Sequence, residues 1–94
     1  MDIGKPYTEI CHSDHIIREF SPNTQQYELS WHQDQFDRIV LVLSGNSWKL
    51  QMDNEIPQNL VPGEKYYIPK NTYHRLIKGP NILIIKIFEI FVKF

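Results

Sequence analysis

Punctuation constrains this chain more than any other feature. Over 94 residues, short segments rich in Ile, Val, Leu, Tyr and Trp are cut off at Ser21-Pro22-Asn23, Ser44-Gly45-Asn46, Asp53-Asn54, Pro62-Gly63, Pro69-Lys70-Asn71 and Gly79-Pro80-Asn81. No segment of helical length carries a sustained period of 3.6, although there is room for one turn near Pro6 to Cys11. The expected elements are therefore strands: Ile16 to Phe20, Gln26 to His32, Arg38 to Leu43, Trp48 to Met52, a short piece from Ile56 to Leu60, Lys65 to Ile68, His74 to Lys78, and Ile82 to Phe91.

Each separator has a mechanism. Pro62-Gly63 sets proline's fixed φ beside a residue that accepts positive φ, the requirement of a type II turn. Gly45-Asn46 is expected to supply positive φ at both centres of a tight hairpin, and Asn71 is the non-glycine type that best tolerates a left-handed conformation. About eight strands of roughly five residues suit an all-β closed barrel or double-sheet jelly roll. A chain this short is expected to form one domain, residues 1–94, with an N-terminal arm over 1–13 and the barrel over 14–94.

Charge and cysteine content exclude several functions. Ten basic residues oppose eleven acidic ones, giving a net charge of -1, so no basic excess exists to displace counterions from nucleic acid. Cys11 is the only cysteine, which rules out an intramolecular disulfide and makes a reducing cytoplasm the default expectation. The longest apolar stretch, Ile82 to Phe94, is broken by Lys86, Glu89 and Lys93, and is shorter than the ~20 residues a spanning helix needs; no membrane association is expected. No phosphate-cradling glycine loop or Gly-x-Ser-x-Gly elbow is present. Cys11-His12-Ser13-Asp14-His15 contains ligand types but no trusted metal spacing.

Two segments carry more specific chemistry. The first is WHQDQFDR, Trp31 to Arg38, followed by IVLVLSG ending at Gly45. The second runs from Gly63 through EKYYIPKNTY to His74. Together they resemble the two motifs of the cupin superfamily. The family's first motif is His-x-His, three or four residues, Glu, six residues and Gly. In this chain His32 and Asp34 stand at the histidine positions and Arg38 at the glutamate. Its second motif is Gly, five residues, Pro-x-Gly, two residues and His, matched here by Gly63, Pro69, Asn71 in place of the second Gly, and His74. The chain looks most like short bacterial single-domain cupins with a degenerate first motif. The resemblance implies a double-stranded β-helix of the jelly-roll type and, often, a divalent metal.

Strand geometry supplies an independent argument for a site. His32 and Asp34 are two apart, so on a strand they project to one side. The resemblance adds His74 as the last ligand. His32, Asp34 and His74 would then form a face of two nitrogens and one carboxylate, suited to iron, zinc, manganese or nickel. Arg38 complicates this set, because a guanidinium about 5 Å from a divalent cation is repelled by several kcal/mol even at an effective dielectric near 20. Three arrangements follow: Arg38 swings out and Asp37 or water fills the place; Asp34 pairs with Arg38 and the barrel holds no metal; or Arg38 faces inward and grips an anionic ligand by its planar fork.

The reading is a barrel that binds a small-molecule ligand, with or without a metal. A metal-dependent enzyme of dioxygenase, isomerase or hydrolase type at the same site, and an inactive partner-binding module, are its alternatives. Phe88, Ile90, Val92 and Phe94 share one parity, and this apolar stripe leads us to expect a homodimer.

Overall fold

The protein is described by a computed structural model covering residues 5–91. Eight strands follow in order: β1 (Tyr7–Cys11), β2 (Ile16–Phe20), β3 (Asp37–Ser44), β4 (Lys49–Met52), β5 (Gln58–Asn59), β6 (Lys65–Ile68), β7 (His74–Ile77) and β8 (Leu83–Ile90). All pairings are antiparallel, in a five-stranded sheet ordered β1-β2-β8-β3-β6 and a three-stranded sheet ordered β5-β4-β7. No helix among the described residues is long and apolar enough to cross a membrane.

The core lies between the sheets because alternate residues of each strand turn inward. On β8 those are Leu83, Ile85 and Ile87, all buried; on β3 they are Val40 and Val42; β4 adds Leu50 and Met52. Trp48, fully buried, fills one end of the barrel, and its indole N–H donates to the Asn81 carbonyl at 2.8 Å, so the ring brings no unpaired polar atom inside.

Turn chemistry explains most of the boundaries. Gly63 takes φ +89° after Pro62, with Glu64 N–H bonding to the Val61 carbonyl, as a type II turn requires. Asn71 adopts φ +58° as expected. The hairpin after β3 differs from expectation: positive φ falls on Gly45 and Ser47 rather than Asn46.

Two elements depart from the sequence reading. Residues near Pro6 to Cys11 form β1 instead of a helical turn, because Tyr7 to Cys11 find a partner in β2 across the whole register. Gln26 to His32 is not a strand. Gln26–Glu28 is a 3-10 turn, tied by Glu28 Oε2 accepting from Gln25 N–H. The Gln26 amide then does what strand pairing would have done, donating to the Leu76 carbonyl and accepting from Lys78 N–H. Of the expected stripe, Phe88 and Ile90 lie on the outer face of β8, while Val92 and Phe94 fall outside the described residues.

Candidate functional site

The open end of the barrel is built by two loops that dock on each other. His32 and His74 form an isolated antiparallel bridge with reciprocal bonds, His32 N–H to the His74 carbonyl at 3.0 Å and His74 N–H to the His32 carbonyl at 2.9 Å. Two residues paired in this way project side chains to the same face. Their rings accordingly lie 4.3 Å apart, centroid to centroid. The left-handed turn at Asn71 brings the second loop over the first, and Asn71 N–H donates to the Asp34 carbonyl at 2.8 Å.

The result is a cluster of His32, Asp34 and His74 in which each residue offers one donor atom within 4.8 Å of the others. His74 Nε2 lies 3.3 Å from Asp34 Oδ2, and His32 Nε2 lies 3.9 Å from Asp34 Oδ1. His74 is buried and Asp34 nearly so, whereas the His32 side chain is half exposed.

Backbone contacts fix the imidazole tautomers. Nδ1 of His32 meets the Ser30 carbonyl and Nδ1 of His74 meets the Thr72 carbonyl, each at 2.9 Å. A carbonyl oxygen only accepts, so each Nδ1 carries a proton, and in the neutral form of each ring the lone pair is on Nε2. Metal-ligating histidines are held in the same way, with the other ring nitrogen donating to a carbonyl that fixes the ring's orientation. Burial, with His32 and Arg38 adding to it, pushes the His74 pKa below its usual value against the opposing influence of Thr72 and Asp34, which keeps the ring neutral near pH 7.

Arg38 faces inward. On β3 it shares parity with Val40 and Val42, and its Nε and Nη2 both donate to Glu89 Oε2, at 3.2 and 2.8 Å. Its Nη1 stands 3.4 Å from Asp34 Oδ2. Asp37 has the opposite parity; its Oδ1 accepts from Lys70 N–H at 2.8 Å, so it pins the second loop and lies outside the cluster. The structure thus brings together four of the five expected site residues and leaves Asp37 in a structural role.

The residues fit a divalent cation on three grounds. Asp34 Oδ2 is buried without a hydrogen-bond partner, a condition that costs about 1 to 3 kcal/mol unless something binds there. Donors around a divalent metal stand about 3 to 3.5 Å apart, and the spacing to His74 already meets this. Asp34 and Glu89 supply two negative charges against the one positive charge of Arg38.

Two contributors escaped the sequence reading. Glu89, the partner of Arg38, has the same parity as Leu83, Ile85 and Ile87, so a carboxylate on the buried side of an apolar strand was the available signal. Arg18 carries the same signal on β2, between Ile16 and Phe20. Arg18 lines a cavity of about 340 Å³ whose walls also include the cluster and Val40, Leu50, Ile85 and Ile87.

No family model matches the chain, and no curated protein matches it. Solved structures do. The DMSP lyase DddQ from Ruegeria pomeroyi DSS-3 superposes with a TM-score of 0.75 at 14% identity, over 89% of this chain and 46% of the lyase. KdgF from Halomonas sp. gives 0.66 at 22% identity, over 95% of this chain and 84% of its own. An RmlC-like cupin family protein with a double-stranded β-helix fold, from Methanocaldococcus jannaschii, gives 0.66 at 17%, over 95% and 84%. The chain spans 36% and 46% of the two DMSP lyase chains it matches. At these identities the likeness is one of fold: the protein is a small all-β domain with the cupin double-stranded β-helix.

Proposed function

We propose that this barrel binds a small-molecule ligand through a divalent metal held by His32, Asp34 and His74. The observation that carries the reading is Asp34 Oδ2, a buried carboxylate oxygen with no hydrogen-bond partner, placed beside two imidazole lone pairs. Zinc, iron, manganese and nickel all suit two nitrogens and one carboxylate. A metal bound there would act as a Lewis acid toward a ligand oxygen, with Ser30 and Thr72 holding the rings in ligating orientation. Three protein donors leave positions open on a cation, which favours metal-dependent catalysis as the second reading.

The test is calorimetric titration of untagged protein with Zn²⁺, Mn²⁺, Ni²⁺ and anaerobic Fe²⁺. One equivalent is expected to bind, and His32→Ala, at a half-exposed position that does not threaten the fold, is expected to weaken binding at least tenfold. Absence of binding by any of the four ions would leave Asp34 as the partner of Arg38 in a metal-free barrel.

The same reading includes a homodimer. Phe88, Ile39 and Tyr67 stand side by side across β8, β3 and β6, a row of large apolar groups on the outer face of the five-stranded sheet. A second copy meeting this face through a two-fold axis would cover it on both chains. Light scattering at micromolar concentration should give twice the chain mass, and Phe88→Asp should halve it. A cytoplasmic location suits the exposed free thiol of Cys11. Near-zero charge supports a small-molecule ligand over nucleic acid.

A further inference from the structure

Arg18 occupies a position where an apolar side chain is expected. It stands on β2 opposite Ile85, and its inward neighbours on that strand are Ile16 and Phe20, both part of the core packing. Its side chain is only 15% exposed and lines the cavity. A charge held in such a wall is costly unless its donors are engaged.

Part of the guanidinium is engaged. Nε donates to Glu9 Oε2 at 2.6 Å, across the β1–β2 pair, and the group lies over the Tyr7 ring at 4.2 Å. Neither Nη atom has a hydrogen-bond partner among the described residues. Tyr7 and Glu9 therefore fix the plane and the Nε edge while the two Nη groups stay available, which is the preorganised fork that grips a carboxylate by parallel hydrogen bonds. Lys5, whose Nζ is 5.8 Å from the same ring, adds positive charge; Glu28, also in the lining, is occupied in part by Gln25 N–H.

Arg38 does not offer the same chemistry, since Nε and Nη2 are taken by Glu89 and Nη1 faces Asp34. The two arginines are also distant. Arg18 is opposite Ile85 and Arg38 opposite Glu89, about 13 Å apart along β8 and about 10 Å across two strand spacings. The same lining includes Val40, Leu50, Leu60, Ile85 and Ile87, which supply apolar surface to the cavity. A cavity of about 340 Å³ is near the small end of ligand sites.

We propose that the ligand is a small carboxylate with an apolar body, its carboxylate held by the two Nη groups of Arg18 and its far end directed toward His32, Asp34 and His74. The far end rests on the metal reading above; the Arg18 end does not. This puts anion recognition on Arg18 and not on Arg38, for which an anionic ligand is one of the three arrangements the sequence leaves open.

Hexanoate and hexanamide, titrated calorimetrically into the full chain with and without Zn²⁺, test the assignment. Hexanoate is expected to bind at least tenfold more tightly than hexanamide in both conditions, and Arg18→Gln to erase the difference. Arg18→Lys retains the charge beside Glu9 but breaks the fork, so it should fold and still reduce the preference severalfold. Equal binding of acid and amide, no binding of hexanoate, a preference unchanged in Arg18→Lys, or one that survives Arg18→Gln and disappears in Arg38→Gln overturns the proposal. Zn²⁺ affinity of the same samples should be unaffected by Arg18→Gln. Loss of Zn²⁺ binding in the wild-type chain would strike the metal reading alone, because the metal-free hexanoate titration decides this one.

Discussion

The two ends of the barrel use the same strands for opposite purposes. At the closed end Val42, Trp48 and Leu83 are fully buried, and the one polar atom Trp48 brings inside is paired. At the open end β3 and β8 carry Arg38 and Glu89, β7 begins at His74, and a carboxylate oxygen is left buried with no hydrogen-bond partner. The closed end concentrates stabilising burial, while the open end retains polar groups whose burial opposes folding. That division lets a small domain carry a costly site, since stability is generated away from the chemistry.

The comparison breaks most readily at Trp48. Trp48→Ala should destabilise by about 3 to 5 kcal/mol in urea unfolding, since it removes the largest fully buried side chain and leaves a cavity. Next is Gly79→Ala. A Cβ there would collide with the Asn46 carbonyl oxygen and stand 2.6 Å from Trp48 Cδ1, so the two loops of the closed end would have to part, at a cost of about 1 to 3 kcal/mol by the same assay.

Asp34→Asn should behave in the opposite way. Metal binding should fall at least tenfold in calorimetry, while the metal-free protein unfolds within about 1 kcal/mol of wild type, since the buried Oδ2 has no hydrogen bond to lose and only a 3.4 Å ion pair with Arg38. A loss as large as that of Trp48→Ala would erase the distinction between the two ends.

The smallest effect is the pH dependence. The folded pKa of His74 lies below its unfolded value of about 6.5, so the unfolded chain takes up the proton first. The contribution of His74 is then fully present above about pH 6.5 and declines as pH falls through the window down to the depressed folded pKa. Urea midpoints measured from pH 8 to 5 should decline below that point, with a shallower decline in His74→Gln.

Much of this was legible from residue types and spacing. Lys65–Ile68 and Ile16–Phe20 appear where the apolar segments between turn residues place them, because their breaks are local backbone chemistry at Pro62-Gly63, Pro69-Lys70-Asn71 and Ser21-Pro22-Asn23. The spacing that resembles the cupin motifs singles out His32, Asp34 and His74. The path to their meeting was not legible. Residues 26–32 read as a strand, yet they fold as a 3-10 turn and a single bridge because Gln26 finds its partners on Leu76 and Lys78, some fifty positions away.

The sequence by itself determined the all-β architecture and the residue types at the mouth, since turn propensity and strand alternation act over a few neighbouring residues. Tertiary structure alone decided where the charges point. Arg38 is held by Glu89 from another strand, Asp37 is turned to the Lys70 backbone, and Arg18 lies over Tyr7 with its Nε on Glu9. A charged side chain buried in a barrel is oriented by whichever partner the sheet register sets beside it, and that register comes from strands distant in the chain.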